Sequence, residues 1–480
     1  MNASARRSAT YVAALVLFVI GCRGTKPATA RGLSPCTIGS LHASCRTVEV
    51  FENREKRAGR KIALKVVVVP SHAAHPQPDP LFLIAGGPGQ GVTGGAEDWA
   101  KIFDFVLRQR ELVLIDVRGT GESNPLNCPL APKGTLQERF EPLAETAKSC
   151  LPLLREKADL TQYQTEYIAD DLDDARESLG YERINVQAAS YGTRVAQVYA
   201  RRHGEHVRSM ILEGVYPLSE HIPLGVSRNS QQVLDAILQL CADDTKCQRH
   251  YPDLRQELAQ VEKRLQQGPV KVTLPNPGSK RDETVELDHG MAAQAIRFML
   301  YGVYTANQVP KLIHITASGD WKPLAERALR NTINSPGYSF GMWLSVTCTE
   351  DVQYIREEHI APDSAGTFFG DFRVRGQRAA CALWPKGKTS AQFSTPVRSD
   401  VPALLMEGAL DPMTPPRYAR AVAATMPNAR VVELPGYGHV LNGMIGDDCI
   451  DRIEGQFLKQ GSAAALDTSC MAKLRRPEFD

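Results

Sequence analysis

The chain has 480 residues, of which 43% are hydrophobic and 23% charged, with a formal net charge of +2. That length exceeds one ordinary domain and points to a main domain carrying a large insertion or a second domain. So neutral a balance, with no basic run interleaved with aromatics, gives no basis for nucleic acid or an acidic surface as partner.

At the N-terminus, Arg6 and Arg7 precede an apolar run from Tyr11 to Ile20 that is too short to hold a bilayer as a stable anchor, so residues 1–21 read as an export signal. Val19-Ile20-Gly21-Cys22 resembles a bacterial lipobox, in which the cysteine is lipidated and becomes the first residue of the mature chain. A plain signal peptide with an incidental cysteine is the alternative. Arg23 follows where an acidic residue would signal inner-membrane retention, so the expectation is a lipid anchor at Cys22 in the outer membrane, facing the periplasm or the cell surface, or else secretion. Residues 22–34, with Pro, Gly and Ala among polar residues, then form a tether. Setting Cys22 aside from eleven cysteines leaves an even set: Cys36, Cys45, Cys128, Cys150, Cys241, Cys247, Cys348, Cys381, Cys449 and Cys470. Neighbours in that order make five local disulfides the simplest arrangement for an exported chain, though sequence leaves the connectivity open. No pair has the CxxC spacing of a zinc site.

Past the tether, Arg46–Phe51, Ile62–Pro70, Leu81–Ile84 and Leu112–Ile115 read as strands. The last two are short apolar runs bounded by turn residues, as in strands buried on both faces of a parallel sheet. Thr165–Leu179 has helical periodicity and stops at Gly180; strands follow at Ile184 and at Val207–Glu213. This alternation predicts an α/β fold, a doubly wound and mostly parallel sheet, with residues 35–215 as its first part. From 216 to 399 the rhythm changes. Helical segments (Gln231–Cys241, Asp253–Gln266, Met291–Leu300, Leu324–Arg330) are joined by Pro/Gly-rich stretches such as Pro275-Asn276-Pro277-Gly278, which reads as one large, mainly helical cap. Residues 400–480 resume the sheet with Ala403–Met406 and Arg430–Glu433, a helix lying near Pro416–Thr425 between them.

The chemistry gathers around Ser190. In Ile184-Asn185-Val186-Gln187-Ala188-Ala189-Ser190-Tyr191-Gly192-Thr193-Arg194 a strand runs into a serine and then a helix, with small residues where the two must approach. This is the G-x-S-x-G elbow with alanine at its first glycine; its turn lifts the hydroxyl clear of the sheet and aims the Tyr191 amide at the carbonyl under attack. Leu81–Ile84 leads into Ala85-Gly86-Gly87-Pro88-Gly89-Gln90-Gly91, whose accessible amides, Gly87 foremost, suit an oxyanion hole. No Gly-Lys-Ser/Thr follows, which excludes a P-loop. Asp116-Val117-Arg118-Gly119 reads as an Arg–Asp network bracing loops beside the site. Asp411 and His439 each lie in a loop just past a strand's C-terminal end, where open α/β sheets build their sites. The order Ser190, Asp411, His439 is that of the α/β-hydrolases: histidine as base, aspartate fixing its tautomer. Glu407 and Glu213 are alternative acids, and the other ten histidines read as surface or core.

Taken together, Gly86-Gly87-Pro88-Gly89, the Asp116–Ser123 stretch, Ser190-Tyr191-Gly192-Thr193, Asp411 before Pro412-Met413-Thr414-Pro415, and Gly438-His439 resemble the proline iminopeptidase/tripeptidyl aminopeptidase family of serine peptidases. Cys241…Cys247 and Val346-Thr347-Cys348-Thr349-Glu350-Asp351 are similar to its secreted tripeptidyl-aminopeptidase branch. The resemblance implies removal of one or a few residues from the free N-terminus of peptide substrates, with no metal or other cofactor; a carboxylesterase acting on small esters is the alternative. It also implies that carboxylates meet the substrate's α-ammonium, for which Glu350, Asp351 and Glu213 are the candidates. Ala85, where proline iminopeptidases carry histidine, and Ala188 at the elbow depart from the pattern and loosen any transfer of prolyl specificity. Side-chain preference, the length of the fragment released and the oligomeric state are not encoded legibly.

Overall fold

The computed structural model describes residues 31–128, 135–330 and 337–480; the export signal and Cys22 lie outside the described residues. A nine-stranded sheet forms the centre, built from β1 (Ser34–Ile38), β2 (Leu41–Phe51), β3 (Lys61–Val69), β4 (Leu81–Ile84), β5 (Leu112–Ile115), β6 (Ile184–Ala189), β7 (Val207–Glu213), β10 (Ala403–Gly408) and β11 (Ala429–Leu434). A separate two-stranded hairpin, β8 (Val270–Pro275) with β9 (Asp282–Leu287), lies in the long segment between β7 and β10. The order across the sheet is β1-β2-β3-β5-β4-β6-β7-β10-β11, antiparallel as far as the β3–β5 pair and parallel from β5 to β11.

The short apolar runs of β4 and β5 are buried at every position because helices cover both faces. Successive side chains divide between two cores, as a period of two requires. Val66, Val68, Phe82, Ile84 and Val186 pack on one face with the helices Thr165–Ser178 and Tyr191–His203. Val67, Val69, Leu81, Leu83 and Leu404 pack on the other, against Phe103, Val106 and the Ile453–Phe457 stretch of the helix Asp448–Gln460.

The region read as a mainly helical cap differs in two respects. It contains the β8–β9 hairpin: Pro275-Asn276-Pro277-Gly278 is its turn, closed by Asn276 N–H to the Arg281 carbonyl at 2.8 Å. The strict in–out alternation of Val270-Lys271-Val272-Thr273-Leu274 was the available signal for a strand. The region also divides in its packing. Val233, Ile237, Leu258, Val272, Ile296 and Leu324 form a core of their own, whereas Phe340, Trp343, Val346, Trp384 and Phe393 pack into the core of the main sheet. Among the described residues no helix is long and apolar enough to cross a membrane.

The ten cysteines among the described residues pair with their neighbours in sequence: Cys36–Cys45, Cys128–Cys150, Cys241–Cys247, Cys348–Cys381 and Cys449–Cys470. Cys348–Cys381 ties the helix Phe340–Glu350 to the helix Phe372–Leu383 across a separation of 33 residues, with both sulfurs buried. A loop of that size corresponds to about 3–4 kcal/mol of denatured-state entropy. Replacing both cysteines by alanine should lower the unfolding free energy in urea by about that amount; a loss well under 1 kcal/mol would show that buried packing alone holds these helices together.

Candidate active site

Three strand ends of the parallel part of the sheet, those of β6, β10 and β11, lead into the site. At the end of β6, Ser190 takes φ 54° and ψ −124°, a conformation that non-glycine residues avoid. The turn is held from both sides: the Ser190 amide donates to the Glu213 carbonyl of β7 at 2.8 Å, and the Ser190 carbonyl accepts from Thr193 Oγ1 at 2.6 Å and Thr193 N–H at 2.9 Å. Gly192 permits the geometry, because a Cβ there would stand 2.5 Å from the Ile84 carbonyl oxygen.

Asp411 follows β10 and His439 follows β11. Their loops touch at Gly408, where a Cβ would lie 1.9 Å from the Gly438 carbonyl oxygen. His439 Nδ1 lies 2.7 Å from Asp411 Oδ2, and His439 Nε2 lies 2.9 Å from Ser190 Oγ. With the Nδ1 proton directed to Asp411, Nε2 presents its lone pair to the serine hydroxyl. Asp411 is 2% exposed, and its other oxygen accepts from the amides of Met413 at 2.6 Å and Thr414 at 2.8 Å. Burial opposes ionisation of Asp411, but the His439 ring and these amides outweigh it and hold the carboxyl below its ordinary value. Thr414 Oγ1 also donates to Asp411 Oδ2 at 2.8 Å and lies 3.1 Å from His439 Nδ1. The Tyr301 ring meets the His439 ring edge-on, 5.0 Å between centroids.

The glycine loop leans on the serine: a Cβ at Gly86 would lie 2.9 Å from Ser190 Cβ. Tyr191 is the first residue of the helix Tyr191–His203, so its N–H has no acceptor within the helix. Asp116 anchors the far side of this loop, accepting from Val92 N–H at 2.7 Å, Thr93 N–H at 3.0 Å and Thr93 Oγ1 at 2.6 Å. Arg118 serves a separate brace, forking onto Asp171 at 2.6 and 2.8 Å.

The carboxylates expected to face the nucleophile all have protein partners. Glu350 is buried and accepts from Thr165 N–H at 2.6 Å and Thr165 Oγ1 at 2.7 Å. Asp351 accepts from Arg194 Nη1 at 3.0 Å and from the Tyr216 hydroxyl at 2.7 Å. Arg194 is itself on the helix Tyr191–His203, so Asp351 braces the elbow helix through one oxygen, Oδ1, while both Glu350 oxygens are engaged by Thr165. Glu213 is half-buried at the end of β7, accepts from Gln187 Nε2 at 2.5 Å, and has its carboxyl raised by burial against bonds from Glu454 and Gln187 and the charge of His439. Glu407 accepts from Val215 N–H at 2.6 Å and is pushed well up by burial and then by the charge of Asp411. Neither alternative acid is hydrogen-bonded to His439. Thr414 and Tyr301 were missed in the sequence; the Asp-x-x-Thr spacing was the one available signal for Thr414, and Tyr301 had none.

Residues 79–237 match the α/β-hydrolase-fold family, and residues 366–470 match the family of TAP-like proteins. Serine protease Hip1 of Mycobacterium tuberculosis (strain ATCC 25618 / H37Rv) is 23% identical over 461 residues, covering 89% of this chain and 87% of that protein. Tripeptidyl aminopeptidase of Streptomyces lividans is 29% identical over 194 residues, 36% of this chain and 35% of that one. Among solved structures, a proline iminopeptidase from Mycobacterium smegmatis superposes with a TM-score of 0.39 at 14% identity, covering 87% of this chain and 98% of that chain.

Burial lifts the Glu350 carboxyl from an ordinary value of 4.5 to about 7, with Arg194 and the bonds from Thr165 opposing the rise. An acid raised on folding stabilises the fold fully below its unfolded value, and that contribution is lost as pH climbs through the folded one. The stability of the native protein should therefore fall between about pH 4.5 and 7.5. Glu350→Gln removes the titration; its amide oxygen still accepts from Thr165 N–H, while its amide N–H donates to Thr165 Oγ1 in a reversed bond. Its unfolding free energy should gain on the native protein by on the order of 2–3 kcal/mol across that window; parallel pH profiles would contradict this.

Proposed function

The chain belongs to the α/β-hydrolase family with a TAP-like C-terminal region, and from that premise we propose that it is an exported serine peptidase, an aminopeptidase that removes one or a few residues from the free N-terminus of short peptides. The observation that carries this reading is the continuous relay from Asp411 through His439 to Ser190, at 2.7 and 2.9 Å. His439 Nε2 takes the Ser190 proton as Oγ attacks the scissile carbonyl. The oxyanion that forms is met by the amides of Gly87 and Tyr191. The imidazolium, stabilised by Asp411, returns its proton to the departing amine, and water then cleaves the acyl-enzyme by the same relay in reverse. The names of the relatives, a serine protease and a tripeptidyl aminopeptidase, support peptides as the substrate class. Five disulfides support export, because such bonds persist in oxidising compartments. A lipid anchor at Cys22 of the outer membrane is part of this proposal; it rests on the Val19–Cys22 lipobox alone.

Ser190→Ala should abolish labelling by a fluorophosphonate probe and lower turnover of aminoacyl amides by at least about three orders of magnitude. Asp411→Asn should keep the fold and cost about four orders of magnitude, through the wrong histidine tautomer. The aminopeptidase assignment is tested separately by comparing a peptide with its N-acetylated form; equal cleavage of the two would refute it.

A further inference from the structure

Two guanidinium groups stand on the cap side of Ser190 without a carboxylate partner. Arg297, on the helix His289–Met299, is 2% exposed. It donates to the Tyr301 hydroxyl at 2.6 Å, to Gln294 Oε1 at 3.2 and 3.0 Å, and to Met413 Sδ at 3.4 Å. Arg373, near the start of the helix Phe372–Leu383, is half-buried. Among the described residues its side chain makes no ion pair and no hydrogen bond, and its Nε is buried without a partner. Its charge interacts with those of Arg297, Tyr301, Tyr338 and Tyr216.

Those neighbours fix its position relative to the reaction. Tyr301 packs edge-on against His439. Tyr338 bridges in antiparallel fashion to Gln90 of the glycine loop, and Ser339 N–H donates to the Gly89 carbonyl at 2.9 Å. Tyr216 lies just past β7, its amide held by Thr193 Oγ1 at 2.9 Å. Arg373 is thus within electrostatic reach of residues that pack on His439 and on the glycine loop. An unpaired guanidinium in such surroundings is costly: burial first, and then the like charge of Arg297, push Arg373 down to about 10. The planar fork of arginine suits a carboxylate, and a ligand carboxylate would supply the missing counter-charge.

We propose that Arg373, backed by Arg297, binds a carboxylate of the peptide substrate, so that the enzyme selects short anionic peptides. The chemistry has two sources: the C-terminal carboxylate of the leaving fragment, or an acidic side chain. The wall formed by Tyr301 favours the first, because His439 hands its proton to the leaving amine on that side. This deepens the peptidase reading of Ser190 and rests on it for the identity of the ligand.

The test measures binding, independently of turnover, by calorimetry on the Ser190→Ala protein. The ligands are trialanine with a free C-terminus, trialanine amide, and Ala-Ala-Glu amide. The free acid should bind at least about tenfold tighter than the neutral amide. Tight binding of Ala-Ala-Glu amide as well would identify a general carboxylate site rather than a C-terminal one. Arg373→Met should erase the preference, and Arg373→Lys should retain part of it. Equal binding of acid and neutral amide, or a preference that survives in a folded Arg373→Met protein, overturns the inference. Should Arg373→Met fail to fold, the acid-to-amide ratio in the parent and in Arg373→Lys decides. Turnover without acid preference sinks the arginine site alone; acid preference in a protein that hydrolyses no peptide sinks the peptidase reading and leaves the site standing.

Discussion

The turn at Ser190 is the constraint to which the surrounding structure answers. A serine at φ 54° is strained by on the order of 1–3 kcal/mol and persists only where its neighbours over-determine it. Here they do: β7 takes its amide, Thr193 takes its carbonyl twice, and the absence of a side chain at Gly192 lets the helix start directly against the Ile84 carbonyl. The same strain directs the hydroxyl out of the sheet toward His439, so the backbone conformation and the 2.9 Å contact are two aspects of one arrangement.

A second layer of buried charge keeps that arrangement rigid. Arg194, on the helix that the turn begins, is fully buried; it pairs with Asp351, lies 3.9 Å over the Tyr216 ring and donates to the Glu220 carbonyl at 2.7 Å. Breaking one partner of such a pair leaves an uncompensated charge and typically costs several kcal/mol, so the brace specifies geometry more than it adds net stability. Through it the elbow helix is fastened to the segment that returns from the cap, and Cys348–Cys381 secures that segment in turn. The pair Glu350-Asp351 belongs to this machinery. An acidic pair in a chain can as readily supply the counter-charge of a buried arginine as a ligand for a substrate amine.

How much was legible follows from what each element depends on. Strands β4, β5, β6, β7, β10 and β11 are short apolar runs ended by turn residues, a pattern set by local burial, and they lie where expected. Ser190, Asp411 and His439 were legible because each follows directly from a strand end, and the topology of a parallel sheet brings those ends together. The disulfides paired as sequence neighbours for the same local reason. The hairpin β8–β9 escaped because its turn is rich in Pro and Gly and its strands carry polar residues on the exposed face. Thr414 and Tyr301 escaped because their roles arise only when distant segments fold together. The direction of the Glu350 and Asp351 side chains was illegible for the same reason: it is set by Thr165 and by Arg194 respectively, each more than 150 residues away in sequence.

The charge distribution around the site is therefore opposite to that expected from the acidic residues alone. Carboxyls gather beneath the strand ends: Asp411 is ionised toward His439, while burial holds Glu407 and Glu213 toward their neutral forms. Above, the cap contributes Arg297 and Arg373 and, among the described residues, no carboxylate to pair them. Among the described residues Arg373 bears its partial desolvation without a carboxylate partner, and the residues that its helix, Phe372–Leu383, buries are Val374, Gln377, Ala380 and Cys381. Departures of this kind from local stability concentrate where a ligand completes the structure. Asp411 organises the proton relay from below, and the unpaired arginines give the space above Ser190 a positive field, so the two halves of the site divide catalysis and selection between the sheet and the cap.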